Sequence, residues 1–422
     1  MVHIVLGAQW GDEGKGKIVD LLSQKADCAV RFHGGNNAGH TIINQYGKFP
    51  LHLVPAGIFN TKCQVFIGNG TILDLEVLIE EIEMLQSKLP DFSKRLFISP
   101  RCHVIMPYHK ILDALYEQAK GKSKTGTTGR GIGPTYADKV SYNGIRLFDL
   151  MDKKHFEKRL EIMLGLKNKI IKALGGDELE MKQVLKKQLQ LFEKIKPYVK
   201  DIFNPLMKAV NLNKRIIFEG AQGIFLDNDW GTYPFVTASS VVAGNINAGA
   251  GVAPKHIKKI IGVSKAYTTR VGAGPFPTEL NDKTGEKIRA IGGEYGATTG
   301  RPRRCGWMDV EMLKFSCELN GLTDLAITKL DVLDDFSELK VCTGYELNGK
   351  KVNYVDCDAQ MLERVKPVYK TFKGWKTPTT KIKKYKNLPP LAKKYLEAIS
   401  SYAKVKISIV SVGPERNQTI IV

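Results

Sequence analysis

Eleven residues near the start of the chain set the strongest limit on its fold. Gly7 to Lys17 read Gly-Ala-Gln-Trp-Gly-Asp-Glu-Gly-Lys-Gly-Lys, with four glycines, two acids and two lysines. The apolar run before them, Val2 to Leu6, reads as a buried strand. Ile18-Val19-Asp20-Leu21-Leu22 after them reads as the first turns of a helix. A strand, a glycine-rich turn and a helix N-terminus make an anion site. Glycine lets backbone N–H groups approach an oxyanion, and the helix dipole favours negative charge there. Lys15 and Lys17 add point charges that suit phosphate. The stretch nearly matches the nucleotide-loop pattern G-x-x-x-x-G-K-[ST] through Gly11, Gly16 and Lys17. Ile18 stands where the hydroxyl that binds the nucleotide's metal belongs, so a metal here needs another ligand, and Asp12 is the candidate.

The rest of the chain limits the class of protein. Its 422 residues can bury a large core, and no apolar stretch approaches the ~20 residues needed to span a membrane. Asp12 and Glu13 interrupt the first apolar run, which is unlike a signal peptide. Seven cysteines without a C-x-x-C pair argue against a disulfide framework or a structural zinc site, and a cytoplasmic protein with reduced thiols is expected. The net charge of +20 admits polyanionic ligands or nucleic acid. Much of the excess lies in the lysine-rich segments 153–200 and 376–394, which read as solvated faces, and no nucleic-acid-binding motif is present.

Short strands and site loops alternate along the sequence. Cys28 to Phe32 runs into a Gly/Asn-rich loop, residues 33–41, where His40 is a candidate general acid or phosphate ligand. Val65 to Ile67 is a strand, and Leu75 to Leu85 and Tyr108 to Lys120 have helical spacing. Thr125 to Pro134 mixes hydroxyls, glycines and Arg130, which suits a second phosphate or a purine. Met151 to about Asn211 is a Lys/Glu/Leu-rich helical excursion, broken at Gly175-Gly176 and near Pro197 and Pro205. Strands resume at Arg215 to Phe218, before Glu219-Gly220-Ala221-Gln222-Gly223, and at Ile260 to Val263, before the loop 268–277. Arg301, Arg303 and Arg304 crowd among Gly, Thr and Pro, a composition that suits a mobile clamp on carboxylates. Leu325 to Ile327 precedes Thr328-Lys329-Leu330-Asp331, which resembles the guanine-reading [NT]-K-x-D motif. A carboxylate there accepts from both N1–H and the 2-amino group of guanine. The last strand, Lys406 to Val410, leads to Ser411-Val412-Gly413-Pro414, a loop able to touch a base or ribose.

The predicted fold is α/β: one domain over 1–422, with a large, mostly parallel central sheet, helices on both faces, and residues 151–211 as a helical subregion. Site loops belong at the carboxyl ends of the strands.

Trp10 to Lys17 resembles the signature of adenylosuccinate synthetases, and so do Thr127 to Pro134, Gly220 to Gly223 and Thr298 to Arg304. The resemblance extends from Gly7 to Pro414. It implies a GTP-dependent ligase, tested by aspartate-dependent GTP turnover, that joins IMP to L-aspartate with Mg2+ as a homodimer. By that resemblance Asp12 is the base, and Lys15, His40 and Gln222 complete the catalytic set. Asp12 and the carbonyl of Gly39 hold the metal. Asn37, Thr127, Thr128, Gln222 and Thr237 hold IMP, while Val271, Thr298, Thr299, Arg301 and Arg303 grip aspartate. Gly14, Lys15, Gly16, Lys17, Thr41, Arg303, Lys329, Asp331, Ser411 and Gly413 contact GTP. No membrane and no nucleic acid are required.

Two departures stand out. Tyr142 follows Asp138-Lys139-Val140-Ser141 where the family usually has an arginine reaching across a dimer to the IMP phosphate, and Pro302 sits where a basic residue is common. A charged hydrogen bond is worth roughly 1.5–3 kcal/mol, so the first departure bears on IMP affinity. Two rival readings are a GTP-binding switch and a basic nucleic-acid-binding protein. The missing hydroxyl after Lys17 and the arginine clamp count against the switch.

Overall fold

The computed structural model describes residues 1–89, 91–296 and 300–422. Its central sheet has nine strands. They are β1 (Val2–Gly7), β2 (Cys28–Arg31), β3 (Gln64–Ile67), β4 (Leu96–Ile98), β5 (Ile216–Glu219), β6 (Ile257–Lys265), β7 (Asp324–Thr328), β8 (Ile407–Ser411) and β9 (Thr419–Ile421). Their spatial order is β9-β8-β7-β6-β1-β5-β2-β3-β4. Every neighbouring pair is parallel except β8 with β9, which closes the edge as an antiparallel hairpin. The α/β fold expected from the sequence is the one observed.

The strands are apolar on both faces because both are covered. Ile4, Leu6, Val30, Phe66 and Phe218 enter one buried cluster. The alternate residues Val5, Ala29, Val65, Ile67 and Ile217 enter another. Helix α1 (Lys15–Ser23) packs Ile18 and Val19 into the second cluster. Toward the β8 edge a third cluster joins Leu325, Ile327 and Val410 to the helices Val310–Asn320 and Pro390–Ala403.

Helix α2 (Pro107–Ala119) precedes the 125–131 loop, and α3 (Ile132–Val140) follows it. The helical excursion resolves into α4 (Lys153–Ala173), α5 (Met181–Ile195) and α6 (Phe203–Asn211). Phe156, Leu160, Leu164 and Ile171 line one face of α4 and bury into the same cluster as Val65 and Leu96, so the excursion shares its core with the sheet. Gly175 ends the first segment at φ 79°, as the sequence indicates. Pro205 does not break the chain. It is the third residue of α6, where a missing N–H costs nothing. The edge strands β4 and β9 lie outside the sequence reading, as do three antiparallel elements: the hairpin His40–Asn44 with Gly47–Leu51, the pair Thr268–Arg270 with Arg304–Gly306, and the long strand Glu338–Leu347 paired with Lys350–Val352 and Lys366–Lys373.

All seven cysteines are free. Burial pushes the Cys305 thiol up to about 11, so the neighbouring arginines do not activate it. No helix among the described residues is long and apolar enough to cross a membrane.

The last residues of six central strands are Gly7, Arg31, Glu219, Lys265, Thr328 and Ser411. The parallel register sets them along one edge of the sheet.

Candidate active site

The loop after β1 wraps around a carboxylate of its own. Glu13 is fully buried and accepts from the backbone N–H of Gln9 (3.0 Å) and Gly11 (2.9 Å). Lys15 Nζ donates to it at 2.6 Å. Asp12, between these contacts, takes the left-handed backbone at φ 59°, which costs energy for a residue with a Cβ. Gly16 permits a close approach: a Cβ there would stand 2.7 Å from the Cβ of His40. The start of α1 and His40 are therefore neighbours only because residue 16 is glycine. Lys17 faces the far side of the loop, donating to Ser411 Oγ (2.7 Å), Gly413 O (2.6 Å) and Gln418 O (3.0 Å). Burial pushes its ammonium down to about 7. Both lysines of the loop are held by protein oxygens.

His40 sits among the strand ends. Its Nδ1 meets Glu219 Oε1, which Arg31 also approaches at 3.5 Å. Glu219 Oε2 accepts from Ala56 N at 2.7 Å. Burial lowers the proton affinity of His40, with Glu219 opposing. Burial also works against the charge of Glu219, but His40 and Arg31 outweigh it and the carboxyl ends below its ordinary range. With Nδ1 committed, the imidazole has Nε2 left for a ligand.

Asp12 belongs to a second charged group. Its Oδ2 accepts from Arg303 Nε at 2.8 Å. The same guanidinium donates through NH1 to Glu294 Oε2 at 2.6 Å. Glu294 also receives Lys265 Nζ (2.8 Å), Lys329 Nζ (2.9 Å) and the Tyr267 hydroxyl (2.5 Å). Burial opposes its charge, but Lys265, Lys329 and Arg303 outweigh it and hold the carboxyl far below its usual range. Lys265 is pushed by burial down to about 8, against the pull of Glu294.

Several expected substrate contacts converge. Gln222 Nε2 donates to Asn37 Oδ1 at 2.9 Å, and Ala221 N donates to His33 Nε2 at 3.2 Å. Among the described residues Gln222 Oε1, Thr237 Oγ1 and Asp331 Oδ1 are buried without a hydrogen-bond partner. Such atoms are costly to leave unmade and mark places for a polar ligand. Other expected residues stand apart. Thr41, Thr127 and Thr128 are exposed, and the 125–127 stretch is tied back to Glu117, which accepts from Thr125 Oγ1 (2.6 Å) and Gly126 N (2.8 Å). A Cβ on Gly126 would lie 3.8 Å from Ala273 N, so this loop meets the one carrying exposed Val271. Arg301 has an exposed side chain, and its carbonyl accepts from Gly296 N at 2.8 Å. Thr298 and Thr299 lie outside the described residues. Gly39 and Gly14 flank His40 and the start of α1 respectively.

The adenylosuccinate synthetase family model matches residues 4–420. The chain belongs to the adenylosuccinate synthetase family. An adenylosuccinate synthetase of Clostridium botulinum (strain Loch Maree / Type A3) is 51% identical over 422 residues, covering 99% of this chain and 98% of that protein. Another, from Acetivibrio thermocellus, is 49% identical over 421 residues, covering 100% and 99%. A fully ligated adenylosuccinate synthetase from Plasmodium falciparum matches the fold with a TM-score of 0.94 at 38% identity, covering 100% of this chain and 99% of that one.

The residues that sequence reading missed in this adenylosuccinate synthetase site are its internal carboxylates and their cations: Glu13, Glu219, Glu294, Arg31 and Lys265. Glu219 had a signal, an acid closing an apolar strand before a glycine-rich run. Glu294 had none, because its partners lie in three separate segments.

Proposed function

We propose that the chain catalyses GTP-dependent ligation of IMP and L-aspartate to adenylosuccinate, GDP and phosphate through 6-phosphoryl-IMP, the first committed step from IMP to AMP. The observation that carries this reading is the 2.8 Å ion pair between Asp12 and Arg303. It sets a candidate base for IMP beside a candidate holder of the aspartate carboxylate, at the mouth of a nucleotide loop.

Asp12 removes the N1 proton of IMP, and charge builds on O6. O6 attacks the γ-phosphorus of GTP; the O6–P bond forms and the bond from phosphorus to the GDP oxygen breaks. His40 offers Nε2 to the transferring group. Its imidazole is neutral at rest. An anionic phosphoryl oxygen favours a proton on Nε2, and Glu219 balances the resulting imidazolium. Phosphate competes with Glu13 for the ammonium of Lys15. The aspartate amine then attacks C6, the C6–O bond breaks, and the departing phosphate takes up the proton that the amine gives up. Arg303 and Arg301, with Thr298, Thr299 and the backbone at Val271, hold the aspartate. A substrate carboxylate at Arg303 gives that guanidinium a partner other than Asp12. Asn37, Gln222, Thr127, Thr128 and Thr237 hold IMP. Lys329, Asp331, Ser411, Gly413, Thr41 and the loop Gly14 to Lys17 hold GTP.

Asp12 and the Gly39 carbonyl fit Mg2+, since this cation takes oxygen ligands and keeps positions for phosphate. Among the described residues no group of three His, Cys, Asp or Glu side chains forms a cage, which leaves the remaining ligands to the nucleotide. Bound Mg2+ supplies charge neutralisation on the phosphates. We read the chain as a single domain, 1–422, acting as a cytoplasmic homodimer without nucleic acid. A family match running from residue 4 to 420 supports the single unit.

The test is GDP release with IMP, aspartate, GTP and Mg2+, omitting each in turn, for the wild type and Asp12→Asn. Release should require all four, and Asp12→Asn should lower kcat by about 10³-fold or more. Near-normal turnover in the variant would overturn the assignment of Asp12.

A further inference from the structure

We infer that Glu294 is a positioning residue that couples the guanine-reading loop to the aspartate-binding arginine, through its two carboxylate oxygens. The inference rests on the site assignments above for Arg303 and Lys329.

Glu294 follows the helix Lys283–Gly292, at a turn made by Gly293 with φ 57°. Its carboxylate is completely buried and divides its donors evenly. Oε1 takes Lys329 Nζ and the Tyr267 hydroxyl. Oε2 takes Lys265 Nζ and Arg303 NH1. The donors come from different parts of the chain. Lys265 ends β6, Lys329 follows β7, and Arg303 precedes the strand Arg304–Gly306. One planar group therefore fixes the spacing between Lys329, on the base side, and Arg303, on the reacting side. Arg303 continues the link to Asp12.

Stability alone does not account for the cluster. Buried ion groups seldom outdo packed apolar side chains. Among the described residues three cations, Lys265, Lys329 and Arg303, form ion pairs with two carboxylates, Glu294 and Asp12. One positive charge is left over, which suits a site awaiting anionic ligands. Lys329 is itself held in the left-handed region at φ 57°, and its ammonium also donates to Gly292 O at 2.6 Å. Its place thus depends on the segment that carries Glu294. Guanine at Lys329 and aspartate at Arg303 act on opposite oxygens of the same carboxylate, so each ligand orders the other's site.

Replacing Glu294 with Gln removes the charge and turns an NH2 group toward two donors. Arg303 then keeps only one anionic partner, Asp12. The expected result for Glu294→Gln is a rise of about tenfold in KM for both aspartate and GTP, with KM for IMP within twofold of the wild type. Glu294→Asp, which keeps the charge on a shorter arm, should recover part of both losses. Tyr267→Phe removes one donor from Oε1 alone. It should raise KM for GTP two- to threefold and leave KM for aspartate unchanged, and it remains informative if Glu294→Gln does not fold. In the pair Glu294→Gln with Lys329→Met, the effects on GTP should fall well short of multiplying.

Unchanged KM values for GTP and aspartate, an equal rise in all three KM values, or full multiplication in the double variant would overturn the inference. So would a Tyr267→Phe effect on aspartate rather than GTP. Arg303→Leu and Lys329→Met serve as controls. If they leave KM for aspartate and GTP unaltered, the site assignments fail. If they raise them while Glu294→Gln is silent, this inference alone fails.

Discussion

Asp12, Gln222 and Lys329 share a feature that no single-residue property predicts: each is a non-glycine residue with positive φ, at 59°, 52° and 57°. Such backbone costs on the order of 1–3 kcal/mol per residue and persists where surrounding contacts hold it. At Asp12 those contacts are the buried Glu13 and Arg303. At Gln222 they are Asn37 and the tight fit of Gly220 and Gly223 beside it. The same logic applies to His40, whose orientation depends on Glu219. Changing Glu219 to Gln removes the charge that favours the imidazolium while keeping most of the shape. His40 would then hold its Nε2 proton only at lower pH. Turnover should fall on the order of 10²-fold at neutral pH, and the alkaline limb of the kcat profile should move to lower pH. A variant with reduced thermal stability but an unmoved pH profile would assign Glu219 to the support of Arg31 alone. The phosphate loop, the arginines and the Lys329–Asp331 motif were legible in the sequence because their residue types advertise charge recognition. Glu219 left only the faint signal of an acid closing an apolar strand, and Glu294 left none. A lone glutamate acquires its meaning from cations that the fold brings to it.

At the level of elements, seven of the eight parallel strands were legible, each a short apolar run leading into glycine or a polar site residue; the three-residue edge strand β4 was not. The hairpin from His40 and the strand pair Glu338–Leu347 with Lys366–Lys373 were hidden by mixed polarity, since one face of each is exposed. The helical excursion was legible from its periodicity, but its connection to the site was not. Asp138 on α3 makes that connection. It pairs with Lys167 of α4 and accepts from His109 Nε2 of α2 at 2.9 Å, all three being buried. His109 Nδ1 in turn accepts from Met106 N at 2.9 Å. The loop with Thr127 and Thr128 lies between α2 and α3, so this knot sets the separation of its two ends. Asp138→Ala leaves a buried ammonium and an imidazole without their acceptor. It should destabilise the protein by about 3–5 kcal/mol, measured by denaturant unfolding. It should also raise KM for IMP more than KM for GTP, because most of the proposed GTP contacts follow β1 and β7 or lie at the end of β8. Equal changes in both would place the effect in global stability.

The whole molecule gathers loops from Gly7 to Gln418 along one edge of a nine-stranded sheet, and β1 lies near its centre between β6 and β5. Binding polyanions there accords with a net charge of +20, yet Lys15, Lys17, Arg303 and Lys329 are each already held by a carboxylate or a carbonyl. In the proposed dimer, further charge for the IMP phosphate would come from the partner protomer. Tyr142 bears on this directly. It is 88% exposed and has φ 67°. Its carbonyl is held by Arg159 at 3.0 Å, which fixes the backbone while leaving the ring in solvent. A residue so presented fits a contact with a second copy. If residue 142 of one protomer lies beside the IMP site of its partner, Tyr142→Arg adds a guanidinium where this chain has only a hydroxyl. KM for IMP should then fall about tenfold, in line with a charged hydrogen bond worth roughly 1.5–3 kcal/mol. KM for GTP should stay unchanged, and sedimentation should show a dimer that IMP tightens. An unaltered KM for IMP in a stable dimer would move the phosphate contact away from residue 142. Lys139 and Arg146, on either side of it, would be the next residues to exchange.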